Sequence, residues 1–154
     1  MFGGNPGINT DPEYWWNEAA DMMHDARVLL RNGGTRKSVC NHCHGTIERS
    51  LKAVLAVQGT IDNDDATHSL VKLSRKAGVL DDVPYQLREY LVVSSGMHNH
   101  ATYPEEERHK QIWYDDATYR AFLKNTRLLY ELLMIRYKGN EGESDERKGE
   151  GRDR

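Results

Sequence analysis

Histidine and cysteine are concentrated in two segments of this sequence. Residues 40–44 read Cys-Asn-His-Cys-His, and residues 98–100 read His-Asn-His. Imidazole groups exchange protons near neutral pH, so His98 and His100 are the candidates for acid–base chemistry. Neither a nucleophile nor a partner base can be identified from the spacing around them. The pattern therefore indicates a polar functional segment without specifying a reaction.

The first of these segments has two interpretations. Cys40, Cys43 and His44 are residue types that bind zinc, and positions three or four apart share one face of a helix. A structural zinc needs a fourth ligand, which would have to come from His98 or His100. The two cysteines also belong to an apolar stripe, and unpaired cysteine packs as a small hydrophobic residue. The stripe consists of Cys40, Cys43, Ile47, Leu51 and Val54. We favour core packing over metal binding and expect no cofactor.

Glu48 and Lys52 lie four residues apart, in the order that favours an ion pair along a helix. Taken alone, the two residues predict a solvated pair on the helix surface. A role in a functional site would need further support from other parts of the chain.

Composition narrows the class of protein. Lys and Arg number 21 against 24 Asp and Glu, for a net charge of -3. This balance excludes nucleic-acid binding by bulk charge, although a local basic cleft stays open. The two cysteines lie too close together in sequence to cross-link distant segments of a secreted protein. No stretch is typical of a membrane span or a signal peptide, so we expect a cytoplasmic protein without membrane association.

Two long helices are predicted in the first part of the chain. Asp11 and Pro12 form a typical helix start, and apolar residues then recur every three to four positions until Gly33. Thr35 can cap the second helix, which ends at Gly59. This second helix is the longest periodic segment, and we expect it to be central.

Three further helices are predicted in the rest of the chain. The third is short and covers residues 70–78, and Pro84 starts the fourth. The fourth loses its apolar pattern at residues 94–96, so residues 97–104 are expected to be irregular. The fifth runs over residues 115–137. Polar loops connect these segments.

These elements predict an all-α protein, an antiparallel up-and-down bundle of four to five helices over residues 11–138. Residues 1–10 are expected to be a flexible N-terminus. Residues 139–154 contain ten charged side chains, six acidic and four basic, and none that is apolar. Such a segment cannot offset the entropy cost of ordering, so a disordered charged tail is expected.

Four motifs in this order resemble the HEPN domain family. Leu-Leu-x-x-Gly at residues 29–33 closes the first helix. Residues 40–55 follow the sequence pattern that the family has in its second helix. Thr-His-x-Leu at residues 67–70 opens the third helix, and Asn-His-Ala-Thr-Tyr-Pro at residues 99–104 precedes the last. Each motif is modest alone, but their order and spacing are specific. The resemblance spans residues 14–137.

The resemblance implies a helical bundle that commonly forms homodimers with a cleft near the dimer axis. Such domains are often paired with a minimal nucleotidyltransferase in bacterial or archaeal two-gene modules. Family members are associated with nucleotide binding, RNA cleavage, toxin–antitoxin systems and defence. The residues that the resemblance places near the cleft are Glu48, Lys52, His68, His98, Asn99 and Tyr103.

These residues could act in two ways. Lys52 could contact a phosphate, His68 could bind a ligand, and Tyr103 could stack on a base. Alternatively, Glu48, Lys52 and His68 form a polar network that holds three helices in register. We weigh these interpretations evenly.

The sequence departs from the family pattern in ways that affect the expected activity. Thr102 occupies the position where the family usually has Arg. The Arg-x4–6-His motif of the nuclease branches has no counterpart near the fourth helix. Arg36 and His42 fit its spacing, but side chains six positions apart on a helix point about 240° apart.

We interpret the chain as a dimeric nucleotide- or RNA-associated module with weak or no enzymatic activity. It would act with a partner such as a minimal nucleotidyltransferase, in a toxin–antitoxin or defence system. One alternative is a metal-independent ribonuclease toxin in which His98 or His100 replaces the missing motif. Another is a helical scaffold for protein–protein contacts.

Overall fold

The computed structural model describes residues 7–102 and 115–139, with residues 96–102 described by their backbone. Within these ranges the regular elements are all helical, which confirms the predicted all-α bundle. The α-helices are α1 (Pro12–Arg31), α2 (Arg36–Gln58), α3 (Leu70–Lys76), α4 (Tyr85–Thr102) and α5 (Asp116–Leu133). A 3₁₀ turn at Asn63–Asp65 precedes α3, and a π-helical turn at Met134–Lys138 continues α5.

The helix ends follow local capping signals. The Asp11 carboxylate accepts a hydrogen bond from the backbone N–H of Glu13 at 3.0 Å, and Pro12 occupies the first turn of α1. The Thr35 hydroxyl accepts from the N–H of Ser38 at 3.1 Å, which caps α2. Gly59 ends α2 with a φ of 73°, a conformation that favours glycine. These predicted boundaries are confirmed.

Helix α2 is the centre of the bundle. It is buried almost continuously from Val39 to Ala56, and α1, α3, α4 and α5 all pack against it. The predicted apolar stripe of α2 is fully within this core. Gly45 lets α1 approach closely, since a Cβ atom there would lie 2.1 Å from Cε of Met22.

Helix α4 differs from its prediction. The apolar pattern fails at residues 94–96, yet the helix continues to Thr102, so the expectation of an irregular segment is wrong for residues 97–102. The pattern fails because this part of α4 packs on polar groups. Ser94 is buried beside the His44 ring, and the Ser95 hydroxyl accepts a hydrogen bond from the N–H of Leu70 at 3.2 Å.

Some predicted segments lie wholly or partly outside the described residues. These include residues 103–104 of the segment expected to be irregular, with Tyr103, and residues 140–154, which make up nearly all of the expected tail. In the expected flexible N-terminus, residues 7–10 are described, and the N–H of Ile8 donates to Oδ1 of Asn63 at 2.8 Å. Among the described helices, none combines the length and apolar character that a bilayer span requires.

Candidate functional site

A cluster of ionisable side chains is centred on Glu48, in the middle of α2. The Glu48 carboxylate accepts a hydrogen bond from Nδ1 of His68 at 2.7 Å through Oε1, and from Nζ of Lys52 at 3.1 Å through Oε2. We call these three residues the Glu48 cluster. Glu48 is only 4% exposed and Lys52 only 6%. The solvated surface pair predicted from their spacing is therefore wrong, because other elements cover this face of α2.

Two elements provide that cover. The Trp15 ring of α1 lies over the Lys52 ammonium, with Nζ 5.2 Å from a ring centroid. This is a cation–π contact, which stabilises a charge that is removed from water. On the other side, the segment before α3 brings His68 onto the Glu48 carboxylate. Lys52 is thus held as a counter-charge inside the bundle rather than presented to a phosphate.

His44 connects the Glu48 cluster to α4. Its Nε2 lies 2.9 Å from the backbone carbonyl of His68, which accepts a hydrogen bond when this nitrogen carries a proton. Its Nδ1 lies 3.2 Å from both the carbonyl and the hydroxyl of Ser94. His44 therefore joins α2, the segment before α3, and α4 at one point, where it lies 3.9 Å from the Glu48 carboxylate.

The electrostatic balance at Glu48 favours the carboxylate anion. Burial by itself raises the pKa of Glu48, but the neighbouring Lys52 ammonium and the hydrogen bonds from His68 and Lys52 outweigh it. The pKa of Glu48 is consequently lowered from its ordinary value of 4.5. At neutral pH the bundle thus contains a buried anion that orients the His68 ring, with the proton on Nδ1.

His68 is the part of the cluster that reaches solvent. Its side chain is 70% exposed, against 5% for the Glu48 side chain that holds it. A carboxylate that orients an exposed imidazole can serve two kinds of chemistry. An oriented imidazole can bind a phosphate when it is protonated, and it can also act as a general acid or base.

The structure also places the backbone of residues 98–100, which read His-Asn-His. Ser94 contacts His44 and Ser95 contacts the first residue of α3, so this turn of α4 lies beside the Glu48 cluster. Because α4 continues as a helix, His98 and Asn99 follow one helical turn beyond those serines, and His100 comes next. Tyr103 lies outside the described residues.

Cys40 and Cys43 lie in the hydrophobic core. Burial raises the pKa of the Cys40 thiol to about 12 and that of Cys43 to about 11. The thiolate is the form that binds metals, and these thiols are neutral at physiological pH. His44 is engaged with His68 and Ser94 instead. In the part of the chain that the structure describes, no group of three His, Cys, Asp or Glu side chains is placed to hold a metal ion.

The structure separates Arg36 from His42, the pair that fits the Arg-x4–6-His spacing. Their side chains contact different residues. The Arg36 guanidinium pairs with Asp116 and lies 4.6 Å from the centroid of the Tyr119 ring. The Nδ1 atom of His42 lies 2.8 Å from the carbonyl of Ser38, within α2. Arg36 thus links α2 to α5, and His42 is engaged within its own helix.

Two members of the polar network were not predicted as such. The sequence predicts His44 only as a candidate metal ligand, and the loss of the apolar pattern at residues 94–96 predicts a helix end there. A signal for His44 was present, since it precedes Glu48 by four residues and shares its helix face. No local signal distinguishes Ser94 from a helix-ending serine.

The family-level comparison agrees with this architecture. The family model described as HEPN domain matches residues 12–137, from the first residue of α1 into the π-helical turn after α5. The chain belongs to the HEPN family. No significant match was found among curated proteins or among solved structures.

Proposed function

We propose that this HEPN protein is a dimeric module that binds a nucleotide or RNA at His68. It acts with a partner protein such as a minimal nucleotidyltransferase, in a toxin–antitoxin or defence system. The observation that carries the proposal is the 2.7 Å contact between the buried Glu48 carboxylate and the exposed His68 ring. A polar network that served only to hold the helices together would not need an exposed member such as His68.

The charge distribution supports a local binding site. The whole chain has a net charge of -3, so a phosphate ligand has to be bound by a few positioned groups. His68 supplies such a group when it is protonated, and Glu48 holds its ring in one orientation. The cluster requires no metal ion for this role.

A second candidate function is a metal-independent ribonuclease. The same carboxylate–imidazole pair is suited to general acid–base catalysis. Ser94 of α4 contacts His44, and His98 follows one helical turn later along the same helix. A second imidazole at that end of the bundle would supply the other half of an acid–base pair.

Binding can be tested with a fluorescent single-stranded RNA and with nucleotides, by anisotropy and thermal shift. His68→Ala should weaken RNA binding about tenfold or more, since a charge-assisted hydrogen bond contributes about 1.5–3 kcal/mol. His24→Ala is the matched control, because His24 is an exposed histidine on α1. Equal affinity of the His68→Ala variant and the wild type would contradict the proposal.

Cleavage is tested separately, with the same RNA in the presence of EDTA. Cleavage by the wild type that disappears in His68→Ala and in His98→Ala would establish the ribonuclease function. Cleavage that persists in all three single alanine variants, at His68, His98 and His100, would exclude these histidines as its catalytic groups. Circular dichroism checks that each variant is folded.

The dimer contact is proposed on α4. Its exposed face carries Tyr85, Val92 and Val93, which are 70%, 55% and 42% exposed, and apolar side chains in such a row favour association. Val92→Asp should convert a dimer to a monomer in light scattering. Val28→Asp is the matched control, as Val28 is an exposed valine on α1. A monomeric wild type at tens of micromolar would refute this part of the proposal.

A further inference from the structure

A groove of ≈ 450 Å³ lies between α1 and α5. Its floor includes Val39 and Cys43 of α2, and its walls include Met23 and Leu30 of α1 and Leu123 of α5. Helices α1 and α5 both pack against α2, and the groove is the space that remains between them. Leu30 is 47% exposed, so apolar surface at this wall is open to solvent.

Three cations line the same groove. Arg27 belongs to α1, while Lys124 and Arg127 belong to α5, and all three are exposed. Within residues 7–102 and 115–139, none of them forms an ion pair or a hydrogen bond with another side chain. We call them the rim cations. Two other arginines do have partners, since Arg36 pairs with Asp116 and Arg136 with Asp82.

The floor of the groove offers little to a polar ligand. The Thr126 hydroxyl donates to the carbonyl of Phe122 at 2.8 Å and lies 2.7 Å from the Tyr90 hydroxyl. Cys43 is a buried neutral thiol. The hydrogen-bonding edge of a nucleobase would find no free partner here, and an unpaired polar group that is buried costs free energy. The floor therefore matches apolar side chains.

We propose that this groove binds an acidic amphipathic helix of a partner protein. The apolar side chains of that helix would lie on the floor between α1 and α5, and its carboxylates would pair with the rim cations on both sides. A helix in this position adds a member to the bundle, as in other complexes where a helix binds in a groove. The inference goes beyond the proposed function, since it does not depend on the ligand of His68.

The charge and the shape of the groove both favour this occupant over the other candidates. Residues 139–154 of this chain carry carboxylates but no apolar side chain, so they match the rim without matching the floor. A nucleic acid would match the rim cations through its phosphates, but its bases would be left unpaired on the floor. An amphipathic helix satisfies both surfaces.

The test uses a labelled synthetic helix of about five turns, with leucines spaced three and four apart and glutamates on both flanks. Fluorescence anisotropy should show binding to the wild type. Arg27→Glu and Lys124→Glu should each weaken binding about tenfold at low salt, and less at high salt, because attraction becomes repulsion. Both variants should fold, since each new glutamate lies four residues from an arginine, Arg31 or Arg120.

Three controls make the result specific. Arg75→Glu changes the net charge equally at an exposed position on α3 and should leave binding unchanged. The Arg27→Glu/Lys124→Glu double variant should regain binding when lysines replace the glutamates of the probe. His68→Ala should bind the probe normally, so a failure of the proposed RNA site is distinguishable from a failure of this one.

Several outcomes would overturn the inference. One is that the glutamate-flanked and lysine-flanked probes bind the wild type equally. A second is that Arg27→Glu and Lys124→Glu bind the probe as well as the wild type does. A third is that the wild type does not bind the probe but binds single-stranded RNA, with both reversals removing that binding. In that case the rim cations contact nucleic acid.

Discussion

The Glu48 cluster and the rim cations differ in what surrounds their charges. Both regions involve α2, the central helix of the bundle. Glu48 and Lys52 belong to α2, and Val39 and Cys43 of the same helix line the groove. In the Glu48 cluster the Glu48 and Lys52 side chains are buried and paired with each other. In the groove the charges are exposed and, among the described residues, make no ion pair. The buried charges of Glu48 and Lys52 contribute to folding, whereas the exposed rim cations remain available for binding.

Desolvation explains the difference in their expected energetics. A buried ion pair has lost its water, so its attraction has to offset a large penalty, and removing one partner leaves the other uncompensated. An exposed cation retains its water and is screened by salt. Changes at the buried Glu48 and Lys52 should therefore affect stability, and changes at the rim cations should affect binding.

The largest effect is expected for Glu48→Ala. This change leaves the Lys52 ammonium buried without its carboxylate, which typically costs about 3–5 kcal/mol of unfolding free energy. Urea denaturation measures the loss. A double variant with methionine at both Glu48 and Lys52 should lose much less, because it removes both charges and keeps the volume. A Glu48→Ala loss within about 0.5 kcal/mol would remove the distinction between the two regions.

His68→Ala should have a smaller effect on stability, about 1 kcal/mol, because the hydrogen bond is lost while Lys52 still pairs with Glu48. A double-mutant cycle with Glu48→Ala sharpens this prediction. The two changes should be non-additive, since His68 and Glu48 are in direct contact. Additive losses would show that the 2.7 Å contact contributes no coupling.

Acid should weaken the Glu48 cluster gradually. The pKa of Glu48 is lower in the folded protein than its ordinary value of 4.5, so the folded state binds protons less readily. This contribution to stability is fully present above the ordinary pKa and is lost as the pH falls through the lower, folded value. Urea midpoints measured from pH 7 downwards should show a drop that is reduced in Glu48→Gln. An equal drop in both proteins would assign the acid sensitivity to other carboxyl groups.

The smallest effect on stability is expected at the groove. Arg27→Glu and Lys124→Glu should each change the free energy of unfolding by no more than about 0.5 kcal/mol, because both side chains are exposed. The same variants are the ones expected to weaken binding of the acidic helix. A loss of stability comparable to that of Glu48→Ala would show that the rim cations contribute to the stability of the fold.

Local signals were sufficient to predict most helix ends. Asp11 with Pro12, and Thr35, cap α1 and α2 as expected, and Gly59 ends α2 as expected. These signals act through hydrogen bonds to backbone groups only a few residues away. The apolar stripe of α2 was also predictable, since helical periodicity is a property of the segment itself.

Two features of the site were beyond such signals. The spacing of Glu48 and Lys52 indicated an ion pair, but their burial depends on Trp15 and His68, which belong to other segments. The same applies to α4, where Ser94 and Ser95 sit inside the helix because distant groups satisfy their hydroxyls. A serine in isolation favours a helix end.

The sequence by itself therefore determined the helices, the buried stripe of α2 and the resemblance to the HEPN family. These depend on capping and periodicity, which act over a few residues, and on motif order along the chain. Only the tertiary structure decided that Glu48 is buried, that His68 is its exposed partner, and that Arg27 of α1 faces the same groove as Lys124 of α5. Burial and solvent exposure result from the packing of segments that are distant in sequence, and no local pattern encodes that packing.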